Sequence, residues 1–341
     1  MRHLHVERCA AAREWSSGFR PAPRGPIGRT ALDFIPVRVV VTGGAGFIGS
    51  HIVDALVARG DEVAVIDDMS GGREENVNPG ATLHRLDIVD PAAADLIRSF
   101  KPAAVFHEAA QMSVARSVRE PIFDAKVNVL GGLNVVEAAA DAGARFVFAS
   151  TGGAMYGDVD ILPTPETCRP WPVSPYGVAK LALEHYLHSF HVQGRIDYIS
   201  LRYANVYGPR QNPHGEAGVV AIFALAMLEG RTPVINGDGR QTRDYIDVSD
   251  VVAANLAALD SKEREGVFNI GTGRQADVLT VFDVLRRSLG SKAEAEHGPA
   301  RPEQRTSALD STLAAEKLGW SARVDLETGL AATATWFRDH R

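Results

Sequence analysis

The chain has little cysteine, little lysine and no long apolar run. Cys9 and Cys168 are its two cysteines in 341 residues. That excludes a disulfide framework and a thiolate-rich metal site, and it suits a reducing compartment, the cytoplasm. The longest uncharged apolar stretch, Val219–Leu228, is half of the roughly 20 residues a membrane span needs, so no membrane is expected as partner. Six lysines stand against 30 arginines, a skew read as base-composition bias with no bearing on function. A net charge of −6 lacks the basic excess that nucleic acid would call for. What is present is ordinary: 45% apolar and 23% charged residues, enough for two domains or one large α/β domain with an added lobe.

Residues 1–35 stand apart. They carry six arginines against Glu7, Glu14 and Asp33, three prolines, and no apolar core of the kind a secretory signal needs. They are expected to be a disordered extension, or the product of a start codon placed too early, rather than a targeting peptide. The fold is expected to begin near residue 36.

From Val37 the pattern changes. Val37–Thr42 is a β-branched run closed by glycines, Ile48–Ala58 has helical spacing, and Val63–Ile66 is a second apolar run. Further strands are predicted at Ala103–His107, Arg145–Ser150 and Asp197–Tyr203, and helices at Ala92–Phe100, Phe123–Ala142 and Pro175–His191. Alternation of helices with continuously apolar strands predicts a Rossmann-like, doubly wound parallel sheet over residues 36–207. After Tyr207 the alternation loosens into a loop (208–215), a helix (Ala217–Leu228), a strand (Pro233–Ile235) and a Gly-rich turn (236–239). Residues 208–341 are expected to form mainly a smaller substrate-binding α/β lobe, with segments near 240–275 returning to the sheet. The cleft belongs between the two.

Two motifs carry chemistry. Gly43, Gly46 and Gly49 lie between the first strand and the first helix, where they allow a tight turn and close approach of backbone amides to a pyrophosphate. Asp67 ends the second strand, where a carboxylate suits a ribose 2′-hydroxyl and repels a 2′-phosphate, so NAD is expected over NADP. Asp68 competes for that role. Asp87 either meets the adenine or is a loop residue. Farther on, Ser174 and Pro175 suit a helix start, which puts Tyr176 in its first turn and Lys180 on the same face. An ammonium and a positive helix end both favour the phenolate, so Tyr176 is expected to have a lowered pKa and to take a proton from a hydroxyl. His107, His185, His188 and His191 have no Cys or paired carboxylate with them, and no metal is expected. Leu183, Leu187 and Phe190 read as core or dimer interface.

Several stretches together resemble the extended short-chain dehydrogenase/reductase family, in particular nucleotide-sugar epimerases of the UDP-glucose 4-epimerase type. They are residues 42–51, His107-Glu-Ala-Ala110, Ser150-Thr-Gly-Gly153 with Tyr156-Gly157, Tyr176…Lys180, residues 201–211, and Gly237-Asp-Gly239 with Arg243-Asp-Tyr245. The resemblance spans Val37 to the C-terminus. It implies a homodimer paired through Phe123–Ala142 and Pro175–His191, and C4 inversion of a UDP-sugar, by NAD, through a transient 4-keto sugar. Thr151, Tyr176 and Lys180 would be the catalytic residues. Gly43, Gly46, Phe47, Ile48, Gly49, Asp67, Asp87, Ile88, Ala109, Lys180 and Tyr203 would hold the cofactor. Thr151, Tyr176, Asn205, Val219, Arg243 and Arg301 would hold the substrate, with Asn205 and the two arginines on its diphosphate. Ser307 matches the position that limits the sugar 2-substituent, and its small size implies room for an N-acetyl group. Two departures stand out: Arg301-Pro-Glu303 lacks the family's glycine between Pro and Glu, and Met112 stands where some epimerases have a lysine. Gly152 and Gly153 occupy the positions where 4,6-dehydratases carry an Asp-Glu pair, which disfavours dehydration. A UDP-glucuronate decarboxylase or epimerase would share the cofactor residues. A non-catalytic NAD-binding regulator would have no need of Thr151, Tyr176 and Lys180 together.

Overall fold

Apolar runs bounded by glycines and caps become the elements of the computed structural model, which describes residues 36–213, 218–300 and 304–340. The 1–35 extension and Arg301 lie outside the described residues. The chain runs β1 (Arg38–Thr42), α1 (Phe47–Ala58), β2 (Glu62–Asp67), β3 (Thr82–Arg85), α2 (Pro91–Phe100) and β4 (Ala104–His107). Next come α3 (Val114–Arg119), α4 (Pro121–Ala125), a π-helical turn at Lys126–Gly131 and α5 (Gly132–Ala142). β5 (Arg145–Thr151), α6 (Pro175–Val192), β6 (Tyr198–Tyr203) and β7 (Asn205–Tyr207) follow. The last third holds α7 (Val219–Leu228), β8 (Val234–Asn236), β9 (Thr242–Arg243), β10 (Tyr245–Asp247), α8 (Val248–Asp260) and β11 (Glu265–Ile270). It ends with β12 (Ala276–Asp277), α9 (Val278–Leu289), β13 (Glu296–Gly298), α10 (Thr312–Leu318) and α11 (Leu326–Asp339).

Seven parallel strands form one sheet in the order β11-β6-β5-β4-β1-β2-β3. The strand order reverses between β1 and β4, and a crevice opens at their carboxyl ends, where ligands of doubly wound sheets bind. The Rossmann-like α/β architecture is therefore as expected. One face of the sheet packs on α1 and α8 through Ile52, Leu56, Val251 and Ala254. The other packs on α2, α5 and α6 through Ile97, Val135, Leu183 and Leu187. Leu183, Leu187 and Phe190 are thus core. A separate apolar cluster with Phe223, Ile235, Phe282, Leu285 and Leu330 joins α7, β8, α9 and α11.

Two elements differ from expectation. β3 is half-exposed at the sheet edge, and its Thr-Leu-His-Arg sequence lacks the apolar run that marks the central strands. The single helix expected at Phe123–Ala142 is broken into α4, the π turn and α5. The π turn contains Asn128, whose Nδ2 donates to Asp124 Oδ1 (3.0 Å) and to the Gln111 carbonyl (2.9 Å), tying the helix to the loop after β4. Wide turns of this kind recur at functional sites.

The sheet and α6 are joined by a buried ion pair. Arg202 of β6 donates through Nε (3.0 Å) and Nη2 (2.6 Å) to both carboxylate oxygens of Glu184 on α6. Their side chains are 6% and 4% exposed, so each charge depends on the other. Removing one partner of such a pair leaves the other charge buried and uncompensated. Glu184→Ala should lower the unfolding free energy, measured by urea titration, by about 3–5 kcal/mol. Glu184→Gln, which keeps shape and hydrogen bonding, should cost clearly less.

Candidate active site

At the switch point the backbone after β1 turns sharply. Gly43 has φ +71°, and a Cβ there would lie 2.6 Å from the Ala109 nitrogen, so glycine permits both the turn and the contact with the loop after β4. A Cβ on Gly49 would lie 2.2 Å from the Gly43 carbonyl oxygen, so α1 starts pressed against the turn. Gly46 is the N-cap, and no side chain caps this helix. Its first amides therefore remain available to an anion. Phe47 and Ile48 fill the first turn half-buried, Phe47 edge-on to His51 and Ile48 against the core.

Asp67 faces this turn. Its Oδ2 accepts from the Ala45 amide (3.0 Å) and its Oδ1 from Met69 (2.9 Å), while burial pushes the carboxyl up from its ordinary range. Asp68 instead turns outward to Ser70, so the competition between the two ends with Asp67 beside the loop. Asp87 is exposed and accepts from the Val89 amide, and Ile88 is buried in the core next to it. These groups fit a dinucleotide: free helix-start amides for the pyrophosphate and an anionic hydrogen-bond acceptor at the ribose position.

Across the sheet, Ser174 Oγ accepts from the Gly177 amide and Pro175 opens α6, as their residue types predict. Gly177 is needed because a Cβ there would meet the Ala154 carbonyl oxygen at 2.4 Å. That contact brings Tyr176 and Lys180 close to the end of β5. Lys180 is buried, its Nζ donating to the Ala149 carbonyl (2.8 Å) above the Phe148 ring. Thr151, two residues on, accepts from the Ala154 amide. Its neighbour Ser150 donates to Glu184 (2.6 Å), and Arg202 also donates to the Tyr156 hydroxyl (2.8 Å). Strand end and helix are held together on several sides.

The expected lowering of the Tyr176 pKa does not occur in these surroundings. Burial first, then the carboxylates of Asp124 and Glu108, push the phenol well above its ordinary value. Lys180, with its Nζ 5.9 Å from the phenol ring centre and engaged by Ala149, does not offset them. Burial pushes Lys180 down to about 8 against the pull of Glu108, Asp124 and Glu184.

Glu108 lies in the His107–Ala110 stretch, where pattern alone assigns it no role. An acid directly after an apolar strand at the switch point is the signal that was available. The Tyr203 hydroxyl accepts from Asn255 Nδ2 (2.7 Å) and donates to Glu108 Oε1 (3.0 Å). Burial pushes Glu108 up to about 7. Tyr203 also spends its backbone carbonyl on the Gly152 amide, which ties β6 to the Thr151 turn. His107 stacks against Phe148, and its Nδ1 lies 2.8 Å from Thr42 Oγ1. Burial pushes it down to about 3, so it is a neutral brace between β4 and β1.

A cavity of about 320 Å³ opens beside α7, β8 and α9, and Asn205, Val219 and Arg243 all line it. Tyr207, Gln211, Phe223, Asn236, Gln241 and Tyr245 also line it, residues to which the motifs assign no role. A Cβ on Gly153 would lie 3.7 Å from Asn205 Oδ1, so the turn after Thr151 adjoins this cavity. Ser307 is buried beside the Arg243 strand, its amide donating to the Thr242 carbonyl. Met112 is 69% exposed. Among the described residues no cluster of His, Cys, Asp and Glu could hold a metal ion, and no helix is long and apolar enough to cross a membrane.

Comparison with known proteins agrees with this geometry. The profile of the NAD dependent epimerase/dehydratase family matches residues 39–271. The UDP-glucose 4-epimerase of Mycolicibacterium smegmatis is 45% identical over 310 residues, covering 89% of this chain and 99% of that protein. The UDP-glucose 4-epimerase of Thermotoga maritima, solved with UDP-glucose, is 50% identical with a TM-score of 0.86 over 89% of this chain and 99% of that one. The enzyme from Thermus thermophilus, solved with NAD, is 44% identical with a TM-score of 0.84 over 89% of this chain and all of that one. The chain belongs to the NAD dependent epimerase/dehydratase family.

Proposed function

We propose that the protein is a UDP-glucose 4-epimerase, interconverting UDP-glucose and UDP-galactose. The observation that carries this reading is the convergence of Thr151, Tyr176 and Lys180 on one strand end, between the glycine turn and the cavity lined by Asn205 and Arg243. Gly43, Gly46, Phe47, Ile48 and Gly49 would hold the NAD pyrophosphate, and Asp67 the ribose. Bound NAD supplies reversible hydride transfer at the sugar C4, passing through a 4-keto sugar, and in its oxidised form one more positive charge in the site. Thr151 orients the O4 hydroxyl. Tyr176 takes its proton and later returns it, with Lys180 favouring the phenolate. Asn205 and Arg243 hold the diphosphate while the keto sugar turns over, and a guanidinium fork suits that task. Arg301 is proposed as the second phosphate ligand.

A related dehydratase or decarboxylase would want a carboxylate beside Thr151. Neither glycine supplies one, and a Cβ at 152 would lie 2.3 Å from Leu309 Cδ1, so a side chain there requires Leu309 to move. The reading extends to the N-acetylated sugars through the small side chain of Ser307. It further takes the protein as cytoplasmic and as a homodimer, paired through Phe123–Ala142 and Pro175–His191, which expose Phe123, Leu130, Val178 and Tyr186.

Proton NMR of UDP-galactose with the purified protein tests the reading, since UDP-glucose anomeric signal should grow in. Tyr176→Phe should lower kcat by about 10²–10⁴-fold, while NAD binding followed by calorimetry persists. Asp67→Asn removes a charged acceptor worth about 1.5–3 kcal/mol. It should weaken NAD binding by roughly 10–100-fold and narrow the preference over NADP.

A further inference from the structure

Asp244 joins β9 to β10 and stands between two residues that line the cavity, Arg243 and Tyr245. It is 1% exposed and does not line the cavity itself. Its carboxylate gathers donors from two distant segments. Oδ1 accepts from the Thr272 amide (2.9 Å) and the Thr272 hydroxyl (2.6 Å). Oδ2 accepts from the amides of Gly273 (3.0 Å) and Leu309 (3.1 Å), and it shares the Thr272 amide at 3.1 Å. The Asp244 backbone carbonyl meanwhile accepts from the Asn205 amide (2.9 Å). Glycine at 271 admits the carboxylate, because a Cβ there would lie 2.5 Å from Oδ2. Burial pushes the carboxyl up from its ordinary range, and the bonds from Thr272, Leu309 and Gly273 pull it back toward the anion.

All of these bonds lead to residues of the substrate side. The Thr242 amide donates to the Arg305 carbonyl (3.0 Å), and the Ser307 amide donates to the Thr242 carbonyl (3.2 Å). Two residues on, the same segment reaches Asp244 through the Leu309 amide, while the Leu309 side chain lies against Gly152, next to Thr151. We propose that Asp244 is a positioning residue for the substrate, fixing Asn205 and Arg243 against the 307–309 segment that touches the Thr151 turn. The inference rests on the epimerase reading for the role of Asn205 and Arg243 as diphosphate ligands, and on hydrogen-bond geometry for the rest. Asp244 has no contact with the substrate in this scheme. It acts through the backbone on either side of it.

An amide in place of this carboxylate keeps the volume and exchanges one acceptor for a donor. Whichever way it turns, its NH₂ faces donors: the Thr272 amide and hydroxyl on one side, or the Gly273 and Leu309 amides on the other. Either the turn after β11 or the Leu309 segment then loses its anchor. The diphosphate takes no part in the bond changes at C4 and is held alike before and during them. Loosening its ligands therefore weakens uniform binding, which raises KM and leaves kcat nearly as it was.

The test compares Asp244→Asn with wild type in the holoenzyme. KM for UDP-galactose should rise by roughly tenfold, with kcat within about threefold of wild type. Calorimetric titration with UDP, which reads binding without turnover, should show a Kd weakened by the same factor. Thr272→Val removes only the hydroxyl donor and should raise KM in the same direction by less, whereas Thr272→Ser keeps that donor and should retain the wild-type KM. A lower melting temperature with KM and UDP affinity both unchanged would overturn the proposal, leaving Asp244 a brace of the fold. A fall in kcat at constant KM would overturn it too, because the effect would then lie at the reacting carbon. If wild type shows no epimerisation, the epimerase reading fails, while the UDP titration still decides the positioning claim. Should Asp244→Asn fail to fold, the Thr272 pair decides it, and equal KM values for the Val and Ser variants count against the proposal.

Discussion

Much of the site depends on the buried contact between Arg202 and Glu184. Glu184 lies one helical turn beyond Lys180, and Arg202 sits beside Ser150 in the register of β5 and β6. Ser150 and the Tyr156 hydroxyl complete the node, and Tyr156 passes on to Asn269 of β11. Three parallel strands and the helix carrying Tyr176 are thereby fixed to one another at the level of Thr151. Apolar packing alone would leave α6 free to slide along the sheet, since Leu183 and Leu187 meet it through non-directional contacts. A bidentate ion pair has a single geometry and removes that freedom.

Much of the fold was legible in the sequence because the central strands are buried on both faces. Val39–Val41 and Phe146–Phe148 are continuous apolar runs with no other reasonable home. The glycine turn and the capped start of α6 were legible for a different reason, since their residue types are imposed by local backbone demands. β3 was hidden because an edge strand with one solvated face needs no such run. The π turn was hidden because its cause is tertiary: Asn128 reaches across to Gln111, seventeen positions away, and no helical period encodes that reach.

The chemistry was less legible than the scaffold. Spacing placed Tyr176 and Lys180 on one face, yet the protonation expected of them omitted the two acids that three-dimensional folding brings alongside. Asp67 and Asp68 are indistinguishable as text. Only the direction of the chain leaving β2 separates a carboxylate facing Ala45 from one facing solvent. Beyond Asn205, Val219 and Arg243, the wall of the cavity was hard to read because β7, β8 and β10 are three residues each and draw their partners from distant segments.

The contact of Leu309 with Gly152 limits which substitutions the chain can accept, and in what order. A side chain at 152 requires the branched end of Leu309 to move, and a smaller residue at 309 by itself opens a void against Met155, Tyr156 and Cys168. Room gained at 309 is room for a side chain at 152. The two positions are therefore epistatic. Redesign of this scaffold toward acid-assisted elimination would treat 309 and 152 together, whereas 153, where a Cβ would meet only Asn205 Oδ1 at 3.7 Å, is open from the start.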